Sequence, residues 1–310
     1  MRSNTKWIIP LILLAMISGV YFFPTPRRSF QDLAGDVPEA QVKAFLAFRY
    51  SFAVHRLEIN GLKWEYITAG SGQEAFLFLH GLSGAYDIWW QQIQALRDNF
   101  RVISVTYPAV DSLEGLSDGV LAILDAEQVE MVNVVGTSLG GYLAQYLVAN
   151  HPERILRAVF ANTFPPNDAI RKEYALIGAL LPFLPEWAIM SIGRWSILET
   201  VLPASGNDAF TRAYLLEMTY GRLSKAQVLA RYKCVIEPFT PIDPIGQGVL
   251  SMIIETDNDP LLDETLRAQL RETYPGPTYG IKGAGHFPYL NRSDSYLALL
   301  MAFLALPMMR

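Results

Sequence analysis

The stretch Glu130–Asn150, EMVNVVGTSLGGYLAQYLVAN, decides how this chain is read. Met131–Val135 is a short apolar run, broken only by Asn133 and rich in β-branched residues, which predicts a buried strand. Leu139, Leu143, Tyr146 and Leu147 then recur at helical spacing, so a helix follows. Between them lies Gly136-Thr137-Ser138-Leu139-Gly140, a G-x-S-x-G at a strand-to-helix turn. In that context the serine is held in a strained backbone conformation and its Oγ projects clear of the sheet. A Cβ at Gly136 or Gly140 would collide where strand and helix cross. The pattern alone is common. The strand before it and the helix after it make Ser138 a candidate nucleophile.

Outward from this turn the chain alternates between strand and helix. Arg56–Ile59 and Leu62–Thr68 predict a hairpin across Asn60-Gly61, a strong two-residue turn signal. Phe76–Leu79 is a continuous apolar run of the kind found in central parallel strands, and it runs directly into His80-Gly81-Leu82-Ser83-Gly84. Further strands are expected at Arg101–Val105, Ala158–Ala161, Leu250–Ile254 and Thr278–Ile281, with a helix near Leu116–Glu127. This is the pattern of a mostly parallel, doubly wound α/β sheet. The segment 162–237 breaks the alternation. Tyr174–Leu181, Trp187–Ile197, Asp208–Tyr220 and Ser224–Lys233 are helical in pattern and are punctuated by Pro182, Pro185 and Pro203, which predicts an inserted helical cap. Its apolar residues suit packing on the core, and they also suit a pocket for an apolar acyl group.

Before the domain, Trp7–Phe23 carries no charge and lies between Arg2 and Lys6 on one side and Arg27 and Arg28 on the other. As a helix it would reach roughly 25 Å against a hydrocarbon core of about 30 Å, which predicts an uncleaved single-span anchor. A cleaved leader is the alternative, although Ile17-Ser18-Gly19 matches a cleavage site poorly. The short basic N-terminus places the domain outside the membrane, with basic residues on both flanks weakening that orientation. Residues 1–30 are therefore expected to be anchor and linker, and 31–310 one α/β domain.

A net charge of −5 and a pI near 5.5 exclude a nucleic-acid surface, since no basic patch is available to neutralise phosphates. The single Cys234 permits no disulfide within the chain, and His55, His80, His151 and His286 show no metal-ligand spacing.

His80-Gly81 after a strand, the Gly136–Gly141 turn and Gly283-Ala284-Gly285-His286-Phe287-Pro288 together resemble the α/β-hydrolase superfamily, from about Arg56 onward. Asp87-Ile88-Trp89-Trp90, Thr137–Gln145 and His286–Ser293 are more narrowly similar to the maspardin branch. The resemblance implies an α/β-hydrolase fold and a triad in the chain order Ser, acid, His. His286 would then be the general base, and Asp259 the acid, taken from the loop after Leu250–Ile254. The superfamily's usual pattern in that loop has a glycine where this chain has Thr256, which keeps Asp257 open as the acid. The oxyanion hole is expected at the backbone N–H groups of Leu82 and Leu139. No cofactor is implied. The expected activity is a carboxylic-ester or thioester hydrolase with a small-molecule substrate. A non-catalytic adapter is the rival, because maspardin-type relatives are regarded as interaction proteins with an incomplete triad, lacking a histidine where this chain has His286.

Overall fold

A computed structural model describes residues 5–166 and 168–307. Its centre is one eight-stranded sheet in the order β1-β2-β4-β3-β5-β6-β7-β8. The strands are β1 (His55–Ile59), β2 (Leu62–Ala69), β3 (Ala75–Leu79), β4 (Arg101–Thr106), β5 (Val132–Thr137), β6 (Ile155–Ala161), β7 (Leu250–Thr256) and β8 (Thr278–Ile281). β1 pairs with β2 and β2 with β4 antiparallel, and every other pairing is parallel. The β1–β2 turn puts Asn60 and Gly61 at φ 51° and 75°, the two left-handed residues that a tight hairpin needs to match strand twist.

The helices are α1 (Thr5–Tyr21), α2 (Glu39–Ser51), α3 (Trp90–Leu96), α4 (Leu113–Ala126), α5 (Leu139–Asn150), α6 (Asp168–Leu180), α7 (Glu186–Ser196), α8 (Ala209–Glu217), α9 (Lys225–Ile236), α10 (Glu264–Thr273) and α11 (Ser293–Leu304), with shorter turns between them. They cover both faces of the sheet, so β3 is apolar at every position. Phe76 and Phe78 enter one core with Trp89 and Tyr289, while Ala75, Leu77 and Leu79 enter the other with Val134 and Leu143. Helices α6 to α9 all lie between β6 and β7. Two of them start where a side chain satisfies the first free N–H groups: Asp208 caps α8 through Thr211 N, and Ser224 forms a capping box with Gln227 on α9.

The register aligns the carboxyl ends of the parallel strands. Leu79 lies opposite Gly136, Thr137 opposite Ala161, Ala161 opposite Ile254, and Thr256 opposite Ile281. The loops that leave those ends carry His80, Ser138, Asn162, Asp259 and His286. Ligands of open α/β sheets bind at this edge.

The N-terminal expectation is corrected. The apolar run forms α1, whose 17 residues rise roughly 25 Å. Among the described residues no helix is long and apolar enough to cross a membrane. The transmembrane anchor, the membrane contact through it and the extracytoplasmic placement that followed from it therefore fall away. The helix stops at Tyr21, leaving Phe22 and Phe23 outside it, and its end is tied to the inserted helices. Trp187 Nε1 donates to the Val20 carbonyl (2.8 Å), and Lys225 Nζ reaches the Tyr21 hydroxyl (3.0 Å). Arg2, part of the basic flank, lies outside the described residues.

Candidate active site

Ser138 follows the last residue of β5 and precedes the first of α5, with φ 53° and ψ −122°. A non-glycine residue there costs on the order of 1–3 kcal/mol, so its surroundings must impose the conformation. They do so through the backbone. Ser138 N–H donates to the Ala161 carbonyl (3.1 Å), and the Ser138 carbonyl accepts from Tyr142 N–H (3.0 Å) and Thr163 Oγ1 (2.7 Å). Two glycines allow the crossing. A Cβ on Gly136 would stand 2.1 Å from the Gly140 oxygen, and one on Gly140 would stand 2.1 Å from the Leu79 oxygen.

His286 leaves the end of β8 through a loop in which Gly283 and Gly285 both have left-handed φ, 62° and 61°. Its Nδ1 lies 2.8 Å from Asp259 Oδ2, and both residues are buried. An ionised carboxylate only accepts, so this contact places the proton on Nδ1 and leaves Nε2 as the acceptor. Burial alone would raise the Asp259 pKa. The charge and hydrogen bond of His286, with donors from Asn162 Nδ2 (2.8 Å) and Leu261 N–H (2.9 Å), outweigh burial and hold the carboxyl below its usual 3.8.

The other aspartate of the loop, Asp257, is exposed and accepts from Gly283 N–H (2.8 Å). Thr256, where the family's usual pattern has glycine, ends β7 with its hydroxyl donating to the Gly285 carbonyl (2.6 Å), which ties the two loops together. Asn162, the first residue of the inserted segment, carries no functional signal in the sequence. It has φ 38° and spans Asp259 and Thr256 through Nδ2. Nothing local in the sequence marks it, since its partners lie more than ninety positions away.

Leu139 opens α5, where unpaired N–H groups and the positive end of the helix dipole lie. Leu82 sits in the turn closed by Gly84 N–H on the Gly81 carbonyl (3.2 Å). That turn lies against the serine, since a Cβ on Gly81 would be 3.0 Å from Ser138 Cβ. His80 is fully buried, and its Nδ1 lies 2.6 Å from the Gly81 carbonyl oxygen. Burial above all, together with the Arg231 charge, pushes the His80 pKa well below 6.5, so the ring is neutral.

Leu82, Ser138 and His286 line one cavity of about 420 Å³, with apolar walls from Phe164, Val235 and Leu262 and a roof from α6 (Ile170, Tyr174) and α9 (Tyr232). A depression of about 480 Å³ lies around Asp125 and Arg154. It sits at the amino ends of β5 and β6, away from Ser138 and His286, and contains no nucleophile, so the smaller cavity is the candidate site. Among the described residues no group of His, Cys, Asp and Glu is arranged to hold a metal ion.

Maspardin of Danio rerio is 26% identical over 223 residues, covering 70% of each chain. The dihydrolipoyllysine-residue acetyltransferase component of the acetoin cleaving system of Cupriavidus necator is 28% identical over 155 residues, 47% of this chain and 39% of that protein. This chain thus matches well under half the length of that component. The solved enol-lactonase of Burkholderia xenovorans LB400 superposes with a TM-score of 0.69 at 17% identity, over 81% of this chain and 100% of that one, a likeness of fold. The alpha/beta hydrolase family model matches residues 76–299, from within β3 into α11, including every loop that bears the site. By that match the chain belongs to the alpha/beta hydrolase family, and within it the chain resembles maspardin.

Proposed function

We propose that this protein hydrolyses a carboxylic ester or thioester through an acyl-enzyme on Ser138. The observation that carries the reading is the buried Asp259–His286 contact of 2.8 Å behind a cavity whose walls include both His286 and Ser138. Burying an ionised carboxylate costs several kcal/mol of desolvation, and one set against the Nδ1 of a histidine beside a serine has a use in hydrolysis, where it holds the base in its working tautomer.

Ser138 Oγ attacks the substrate carbonyl carbon while its proton passes to His286 Nε2. Asp259 holds the Nδ1–H tautomer and stabilises the imidazolium that forms. The tetrahedral oxyanion is received by the N–H groups of Leu139 and Leu82. When the intermediate collapses, His286 returns the proton to the departing alcohol or thiol, and a water then repeats the sequence on the acyl-enzyme. The apolar walls of the cleft select an apolar group on the substrate.

The rival reading, an adapter on a hydrolase scaffold, draws on the 26% identity to maspardin. A fluorophosphonate probe separates the two, because a serine hydroxyl without an activating base reacts slowly at neutral pH. Wild-type protein should label at Ser138, Ser138→Ala should not label, and His286→Asn should label at least a hundredfold more slowly. Folded wild type that fails to label, or that labels no faster than His286→Asn, replaces the enzyme with the adapter.

A further inference from the structure

Arg231, on the inserted helix α9, is fully buried, and among the described residues its hydrogen-bond partners are all backbone carbonyls. Its Nη1 donates to Leu82 (2.6 Å) and Gly84 (3.1 Å), and its Nη2 donates to Tyr107 (2.9 Å). Leu82 and Gly84 belong to the turn after β3, while Tyr107 belongs to the segment after β4. One guanidinium therefore clamps two neighbouring strand ends. Gln227, one turn earlier on α9, adds a second donor to the Tyr107 carbonyl (3.0 Å). Burial lowers the Arg231 pKa to about 10, and at neutral pH the group is still a cation.

The consequence for the turn follows from counting its acceptors. The Gly81 carbonyl is taken by Gly84 N–H and His80 Nδ1, and the Leu82 and Gly84 carbonyls are taken by Arg231. With those three carbonyls engaged, the Gly81–Leu82, Leu82–Ser83 and Gly84–Ala85 peptide planes are fixed, and the Leu82 N–H is held ready to meet a developing negative charge. Preorganised donors of this kind are effective because they need not reorient during the reaction. The Arg231 charge also polarises the Leu82–Ser83 peptide, the unit next to the one that carries the Leu82 N–H. The planar fork is what makes the clamp possible, since an ammonium is a point charge with no matching geometry.

We propose that Arg231 is a positioning residue that holds the Gly81–Gly84 turn in its oxyanion-binding geometry, so that hydrolysis depends on α9 being seated on the sheet edge. The proposal rests on the acyl-enzyme reading and adds a requirement to it. Arg231 touches no reacting atom and works by fixing the Leu82–Ser83 peptide, which sets the direction of the adjoining Leu82 N–H.

Two variants test it, with hydrolysis of p-nitrophenyl butyrate measured alongside the affinities of an alkyl trifluoromethyl ketone and of the unreactive amide of the same acyl chain. Removing one oxyanion donor outright costs about 10²–10³-fold. Arg231→Met should therefore lower kcat about 10–100-fold with KM changed less than threefold. Ketone affinity should fall in step with kcat/KM, while affinity for the amide stays the same. Arg231→Lys keeps the charge but not the fork and should recover only part of kcat. It also serves as the test if the methionine variant does not fold. Equal losses of ketone and amide affinity, or a kcat within twofold of wild type in a folded variant, overturn the proposal. Failure of wild type to label with a fluorophosphonate would instead defeat the hydrolase reading itself.

Discussion

Asp87→Asn should be among the most destabilising single-atom changes in this chain, although residue 87 touches no part of the cavity. Asp87 is fully buried. Its Oδ2 accepts from Arg49 Nε (2.7 Å) and Arg222 Nη1 (2.9 Å), and its Oδ1 accepts from the Tyr214 hydroxyl (2.7 Å). Glu217 accepts from the same two guanidiniums and from Phe30 N–H. Two carboxylates thus face two guanidiniums, and the cluster joins α2, the segment before α3, α8 and the turn that follows α8. Replacing Asp87 with asparagine leaves one positive charge uncompensated on half-buried Arg49 and Arg222, a change that costs up to about 3–5 kcal/mol. At about 2–4 °C per kcal/mol for a domain of this size, the melting temperature should fall by roughly 6–20 °C. Urea unfolding of wild type and variant measures the free energy directly. Asp87→Asn combined with Arg222→Met restores neutrality and keeps the Arg49–Glu217 pair, so it should recover at least about 1 kcal/mol. The pH dependence carries the same sign. Burial opposes ionisation of Asp87, but Arg222 and Arg49 outweigh it and bring the pKa from 3.8 to about 2. The unfolded chain therefore binds the proton more readily. The contribution, about 2 kcal/mol, is complete above pH ~4 and is lost as pH falls through 2. A loss below about 1 kcal/mol in Asp87→Asn, or no recovery in the double variant, would show that water solvates the cluster and refute the argument.

The two loop aspartates should separate sharply in kinetics. Asp259→Asn should lower kcat by roughly 10³–10⁴-fold by favouring the wrong imidazole tautomer, while Asp257→Asn stays within a few-fold; the reverse order would move the acid by two residues. Gly140→Ala drives a Cβ to 2.1 Å from the Leu79 oxygen, a backbone atom that cannot step aside. It should cost at least about 3 kcal/mol by urea unfolding, and a variant as stable as wild type would mean that strand and helix cross less tightly at the turn.

The strands were readable because central parallel strands are buried on both faces, so β3 appears in the sequence as an unbroken apolar run. The candidate site residues stood out in the sequence because each follows a strand end. What lay outside the sequence's reach was pairing at a distance. Asp257 and Asp259 share one loop, and the preference for Asp259 came from the family resemblance alone, whereas the returning β8 loop sets Gly283 N–H on the first and His286 on the second. Asn162, Arg231 and the Asp87 cluster act through partners dozens to more than a hundred residues away, and no local pattern records such partners.

The N-terminal error has the same origin. Hydropathy measures what a helix would gain by leaving water, whatever receives it, and a run near the lower limit of spanning length leaves a bilayer and a protein surface as competing destinations. In α1 the helix ends at Tyr21 and its final turn bonds Trp187 and Lys225, residues on α7 and α9. α9 is also the helix that carries Arg231 to the Leu82 carbonyl. The end of the apolar helix and the turn proposed to bind the oxyanion are therefore held by one element, so displacing α9 would loosen both contacts together.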